Sequence, residues 1–287
     1  MSSNDDLMLG FHASISGGLG NVPDRIKTLD CPTGQIFTSN NRQWAIRDLR
    51  EGEAEAFKTG CGELSGGVTA HACYLINLAK SDQDPWEKSV RTLVKELDRA
   101  EELDIPYLVL HPGSHVGNGE EDGIKRIGEA LNKTLEDSSS QEASILLETM
   151  AGQGTGLGYR LEQLVAMEEL VDHDDRIHYC VDTCHMHAGG YDLSTEAGYE
   201  DSMQRVEDVL GLDNVKVLHL NDSEADHDSR VDRHENIGEG TIGEEGFRAL
   251  MNDDRWTGVP KILETPVDDD WEEDYGHNLK TLRSYVD

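Results

Sequence analysis

Histidines and carboxylates recur in this chain where short apolar runs come to an end. Asp182 and His185 follow Ile177 to Val181, His219 closes Val215-Lys216-Val217-Leu218, and Glu264 closes Lys261-Ile262-Leu263. His71, His111 and Glu148 end three earlier runs, and Asp232 and His234 occupy the loop beyond His219. Gathered on one face, these nine groups would repel one another unless cations sat among them. Imidazole and carboxylate without thiolate suit zinc, with manganese or iron as substitutes. Taken singly, each residue has a plainer explanation. A lone His is more often a hydrogen-bonded core residue than a ligand, and Asp232-Arg233-His234 also reads as a salt-bridged surface loop. The recurrence carries the inference.

Within Asp182-Thr183-Cys184-His185 the Asp and His stand three apart, so both cannot look down one strand, whose side chains alternate faces. The stretch is expected to be a strand tip turning into a loop, with Asp182 reaching one ion and His185 another. Asn236-Ile237-Gly238-Glu239-Gly240 supplies a turn able to hold Asp232 and His234 in place. The glycine-rich segment 152–158 lacks the endings of a phosphate-binding loop and is expected to be a flexible loop beside the site. His12, His115 and His187 are candidates for orienting ligands from behind. Arg42, Gln43 and Trp44 lie just beyond the second apolar run, and Tyr74 and Leu75 follow His71 closely. Bulky and cationic groups in such places suit insertion into a base stack, the plainer alternative being an ordinary capping cluster.

The elements that must carry these residues are strands. Runs of strand length fall at Leu7 to His12, Gln35 to Thr38, Gly67 to His71, Tyr107 to His111, Ser144 to Glu148, Ile177 to Asp182, Val215 to His219 and Lys261 to Glu264. Several are almost wholly apolar, as in a sheet covered on both faces. Between them, Val90, Leu93, Val94, Leu97, Ala100 and Leu103 repeat at helical spacing after Asp84-Pro85, and Ile124, Ile127, Ala130, Leu131 and Leu135 form a second stripe. Eight strand–helix units predict an α/β fold, a closed (β/α)8 TIM barrel spanning residues 1–287 as one domain. An open doubly wound sheet is the rival, but only a barrel brings so many strand ends to one mouth.

Composition adds the setting. Among 287 residues there are 58 Asp and Glu against 25 Lys and Arg, a formal charge of −33, with the acids dispersed rather than confined to a tail. Only 10 of the basic residues are Lys. An acid coat with scarce Lys fits a halophile's cytoplasm, where molar salt screens charges within roughly 3 Å. The five cysteines form no Cys-x-x-Cys pair, which argues against a thiolate zinc site or a disulfide framework. Met1 to Asp6 lacks the basic flank and apolar core of a signal peptide, and no apolar run is long enough for a transmembrane helix. A soluble cytoplasmic protein is expected.

Several ordered motifs resemble the endonuclease IV family of zinc-dependent apurinic/apyrimidinic endonucleases. They include Gly10-Phe11-His12-Ala13-Ser14, Arg42-Gln43-Trp44, His71-Ala72-Cys73-Tyr74-Leu75, His111-Pro112-Gly113-Ser114-His115, Glu148-Thr149-Met150-Ala151-Gly152, Asp182-Thr183-Cys184-His185, Asp232-Arg233-His234 and Leu263-Glu264-Thr265-Pro266. The resemblance implies three zinc ions: His71, His111 and Glu148 on the first; Glu148, Asp182, His219 and Glu264 on the second; His185, Asp232 and His234 on the third. It implies hydrolysis of the phosphodiester 5′ to an abasic site in double-stranded DNA, with Glu148 and Glu264 catalytic and Arg42, Tyr74 and Leu75 on the DNA. A monomer is the default. A divalent-metal sugar isomerase or epimerase of the same barrel superfamily and a non-catalytic damage-binding protein are the competing readings.

Overall fold

The computed structural model describes residues 7–287; residues 1–6, where no signal peptide is expected, lie outside the described residues. All eight apolar runs form strands: β1 (Leu9–Phe11), β2 (Gly34–Phe37), β3 (Val68–His71), β4 (Tyr107–Leu110), β5 (Ser144–Glu148), β6 (Ile177–Asp182), β7 (Val215–Leu220) and β10 (Lys261–Leu263). A short antiparallel ribbon, β8 (Asp222–Ser223) with β9 (His234–Glu235), lies between the last two. The large sheet runs β1-β10-β7-β6-β5-β4-β3-β2 and every pairing in it is parallel. Its two ends meet where His12 bridges Gln35 and the Ala13 N–H donates to the Gln35 carbonyl at 2.7 Å. The sheet thereby closes into the expected (β/α)8 barrel.

Strand alternation explains where the chemistry sits. Val109, Leu146, Cys180, Val217 and Ile262 pack together as a plug inside the barrel, apart from the larger core between sheet and helices. Two residues further along the same strands, on the same face, stand His111, Glu148, Asp182, His219 and Glu264. The apolar plug is therefore a floor, and the polar groups stand on it at the carboxyl ends of the strands, where barrel enzymes carry their active sites.

The helices follow the predicted stripes. Helix Gln83–Glu102 buries Val90, Leu93, Leu97 and Ala100, and helix Glu120–Asp137 buries Ile127, Ala130, Leu131 and Leu135. Two of the acidic clusters have a local role as well as a place in the coat. Glu120, Glu121 and Asp122 fill the first turn of their helix, and Asp270 caps helix Trp271–Ser284 by accepting from Glu272 N and Glu273 N. Carboxylates at these ends are favoured by the helix dipole and the free N–H groups. Among the described residues, no helix is long and apolar enough to cross a membrane.

Candidate metal centre

The predicted strand tip at Asp182 does not turn into a loop. It runs directly into a helix, Thr183–Gly189, and Asp182 is its N-cap: Oδ1 accepts from His185 N at 2.8 Å. An Asp three residues ahead of His185 is thus what starts the helix, and the cap aims the two side chains into neighbouring parts of the same mouth. The other carboxylate oxygen of Asp182 accepts from Asn221 Nδ2 at 2.7 Å.

All nine predicted groups come together in three sets, two of which share Glu148. Glu148 Oε2 lies 3.2 Å from His71 Nε2 and 3.0 Å from His111 Nε2. Its other oxygen, Oε1, lies 3.1 Å from His219 Nδ1, which is also 3.2 Å from Glu264 Oε2 and 3.8 Å from Asp182 Oδ2. In the third set, Asp232 Oδ1 is 3.1 Å from His185 Nε2 and 3.5 Å from His234 Nε2. Donor atoms about 2.05 Å from a tetrahedral ion are about 3.3 Å from one another, so these separations match ligands around a small cation. The His185 Nε2 atom is buried without a hydrogen-bond partner despite its closeness to Asp232, as a ligand nitrogen would be. The sets also grade in access: Glu148, Asp182 and His219 are fully buried, whereas Asp232 stands at the rim with 36% of its side chain exposed.

Most of the imidazoles are oriented from behind. The outer nitrogen of His71 donates to Ala72 O at 2.7 Å, that of His185 to Thr149 O at 2.9 Å, and that of His234 to Glu264 O at 2.9 Å. Each donation occupies the outer nitrogen, so once the ring gives up its other proton to become a ligand, the lone pair faces the carboxylates, as in protein metal sites.

Burial opposes charge on these groups, but their mutual attraction wins. Burial would raise the carboxyl of Glu148, yet His111 and His219 hold it well below the usual range. Glu264 and Asp232 are likewise held low against burial, chiefly by His219 and by His185 respectively. Conversely, burial would lower His185 and His219, but Asp182 and Asp232 beside the first, and Cys180, Glu264 and Glu148 beside the second, raise both well above an ordinary imidazole. Glu148, Glu264 and Asp232 are thus held ionised, in the form that binds divalent cations. Cys184 also lies within reach of Asp182 and His234. Burial pushes its thiol up to about 12, and Sγ donates to Arg233 O at 3.4 Å, so it stays a thiol and the donor set remains nitrogen and oxygen.

A family model described as Xylose isomerase-like TIM barrel matches residues 23–285. The protein called Probable endonuclease 4 from Chloroflexus aurantiacus is 46% identical over 279 residues, covering 96% of this chain and 97% of that one. Its namesake from Geobacter sulfurreducens is 47% identical over 280 residues, covering 97% and 94%. The chain belongs to the endonuclease IV family. The crystal structure of endonuclease IV from Thermus thermophilus matches it with a TM-score of 0.86 at 34% identity, over 97% of this chain and 98% of that one. Both the barrel and the enzyme class expected from sequence follow from these likenesses.

Around the endonuclease IV family centre, the remaining predicted residues are placed unevenly. Tyr74 is 48% exposed and stands over the first set, its ring centroid 5.2 Å from that of His71 and 5.4 Å from that of His111. Leu75 is half-buried against the core, and Arg42 is exposed on the neighbouring loop, where its N–H donates to Asn40 Oδ1. His12 touches Glu264, with Nδ1 2.8 Å from Oε1. His115 and His187 are turned to the backbone instead: His115 Nδ1 accepts from Gly117 N and Gly119 N of its own loop, and His187 Nδ1 accepts from Leu193 N just beyond its helix. Segment 152–158 is not a loose loop. Leu157 N donates to Gly113 O at 2.9 Å, Thr155 Oγ1 meets Ser114 Oγ at 2.5 Å, and Gln153 Oε1 accepts from Asp232 N at 3.1 Å, so it fastens a rim residue. Asp222, unremarked in the sequence, accepts from the N–H groups of Gly238, Gly240, Ile242 and Gly243 and ties down the turn behind His234.

The loops bearing Arg42 and Tyr74 share one buried anchor. Glu96, on helix Gln83–Glu102, accepts from Cys73 N at 2.9 Å and from Ser39 Oγ at 3.5 Å, and burial raises its carboxyl to about 7. A folded value above the unfolded one means that its contribution to stability is full below about pH 4.5 and is lost as pH rises through about 7. Glu96→Gln should remove this dependence while keeping both contacts. The unfolding free energy of the variant relative to the parent is expected to improve by on the order of 3 kcal/mol between pH 4.5 and pH 8. A difference that stays constant over that range, measured by denaturant titration, contradicts the assignment.

Proposed function

We propose that this endonuclease IV family chain is a DNA repair enzyme of base excision repair. It hydrolyses the phosphodiester 5′ to abasic sites in double-stranded DNA, leaving 3′-hydroxyl and 5′-deoxyribose phosphate ends. The observation that carries this reading is the convergence of nine imidazole and carboxylate groups in three sets, two of them sharing Glu148, directly beneath Tyr74 at an open barrel mouth. His71, His111 and Glu148 would hold one zinc, Glu148, Asp182, His219 and Glu264 a second, and His185, Asp232 and His234 a third, with Mn2+ or Fe2+ as substitutes.

Bound zinc would lower the pKa of water and neutralise charge on the phosphate and the departing oxygen. The chain's own residues do the positioning. Glu148, with one oxygen toward each of two sets, fixes their separation. Glu264, clamped at Oε1 by His12, orients the attacking water. Tyr74, Leu75 and Arg42 fill the gap left when the abasic nucleotide is turned out of the helix. An abasic nucleotide has no base to unstack, so extruding it costs less than extruding an intact one.

The net charge of −33 is unfavourable for a DNA-binding surface, and molar salt removes most of the counterion-release gain. We read the acid coat as adaptation to a halophile's cytoplasm, with the protein acting as a monomer. Binding then rests on contacts at the lesion more than on a basic surface. Arg42→Ala is expected to raise KM about tenfold or more even in molar KCl; an unchanged KM there contradicts this division of labour.

The experiment that tests the function uses the purified protein in high salt and a duplex carrying one tetrahydrofuran abasic analogue, with and without chelator. Incision 5′ to the lesion that chelator abolishes is the predicted result. Binding without cutting would favour a damage-binding protein, and ketose epimerisation without cutting would favour the sugar-isomerase reading.

A further inference from the structure

The barrel interior holds one polar side chain that the sequence pattern gives no reason to expect there. Gln35, on β2, is 0% exposed, one layer below the mouth. A buried carboxamide is costly unless both of its ends are paired, and both are. Gln35 Nε2 lies 2.8 Å from Glu264 Oε1, and Gln35 Oε1 lies 3.0 Å from His219 Nε2 and 3.3 Å from Thr69 Oγ1. Nε2 also lies 3.2 Å from His12 Nδ1, which itself donates to Glu264 Oε1 at 2.8 Å, so the two nitrogens are donors converging on one carboxylate oxygen.

Chemistry decides the orientation of the amide. Ionised Glu264 can only accept, so the NH2 end must face it. The amide oxygen must then face His219, and an oxygen there requires that Nε2 carry the proton. In the neutral ring that a ligand must be, His219 Nδ1 then holds the lone pair, and that is the atom 3.1 Å from Glu148 Oε1 and 3.2 Å from Glu264 Oε2. A single side chain therefore sets the tautomer of one member of the central set and the rotation of another. His71, His185 and His234 take the corresponding support from backbone carbonyls, which a side-chain substitution leaves in place. His219 takes it from Gln35.

We infer that Gln35 is a positioning residue for the central metal ion, holding His219 Nδ1 and Glu264 Oε2 in ligating orientation. The inference rests on the metal reading of the Glu148, Asp182, His219 and Glu264 set. Hydrogen-bond partners behind metal ligands commonly change metal affinity by about 10- to 100-fold when removed. Gln35→Met keeps the volume and deletes both hydrogen bonds. Ile36→Val, on the adjacent buried position facing the outer core, serves as the control for a loss of packing alone.

The test is stepwise zinc release from the loaded, full-length proteins to a graded chromophoric chelator, with thermal unfolding in excess EDTA as the measure of fold. Gln35→Met is expected to give up one zinc at about 10- to 100-fold weaker competition while the others release as in the parent, and Ile36→Val to release all as the parent does. Parental zinc release by Gln35→Met overturns the inference, as does parallel weakening of every site or an equal loss in Ile36→Val. A parent protein that takes up no zinc sinks the metal reading itself, a failure distinct from the parent binding zinc and Gln35→Met binding it equally well.

Discussion

Replacing Glu148 with Gln is expected to lower kcat/KM for abasic-site incision by at least about a thousandfold, roughly 4 kcal/mol of transition-state stabilisation, and to strip at least one zinc from the protein. Glu148 is fully buried and belongs to both the first and the central set of candidate ligands. Its Oε2 faces His71 and His111 while its Oε1 faces His219. The amide of Gln has nearly the same shape but puts an NH2 against nitrogen atoms on one side or the other, and it removes the charge that offsets the cations. The fold has no comparable reason to suffer, since the floor of Val109, Leu146, Cys180, Val217 and Ile262 is untouched. Incision kinetics and elemental analysis on the same preparation check both halves. Activity within tenfold of the parent with full zinc content would remove Glu148 from its bridging role.

The second large effect separates the two residues of the Asp182-Thr183-Cys184-His185 stretch. His185→Ala is expected to empty the third site alone and to reduce incision by on the order of a hundredfold or more, because its Nε2 is the buried member of the set with Asp232 and His234. Asp182→Asn should weaken the central set instead. Its effect is compounded by geometry: Asp182 accepts from His185 N with one oxygen and from Asn221 Nδ2 with the other, and an Asn has a single oxygen to offer. One of those contacts must be lost, adding about 1 kcal/mol of lost capping or an unpaired amide to the metal defect. Zinc stoichiometry of the two variants, each titrated with chelator, distinguishes them. Loss of the same ion from both would show that the stretch serves one site rather than two.

The candidate ligands at the strand tips stand out in the sequence for a physical reason. A strand buried on both faces is mostly apolar until it leaves the sheet, so a His or acid at its last position or one residue to either side marks the mouth, as at His71, Glu148, His219 and Glu264. The helix after Asp182 does not stand out, because seven residues with two histidines and a closing Gly show no apolar stripe; only the capping Asp signals it. The β8–β9 ribbon that carries His234 is two residues per strand, too short for any period. Gln35 escapes sequence reasoning because one Gln at the start of a strand looks like an exposed edge residue. Its meaning depends on β7 and β10, more than 180 residues away in the chain. Arg42, Tyr74 and Leu75 stand out by chemistry and resemblance, but of the three only Tyr74 has its side chain directly over the centre.

On the proposed function, incision depends on a centre of three metal ions built from these nine residues. The most direct measurement starts from protein stripped by chelator and adds zinc in stepwise equivalents, following incision of the abasic duplex and bound zinc together in molar salt. Activity that is absent without metal and rises to a plateau at about three zinc per chain is the predicted result. Full incision by the stripped protein under chelator, or a plateau reached at a single equivalent, would contradict the account.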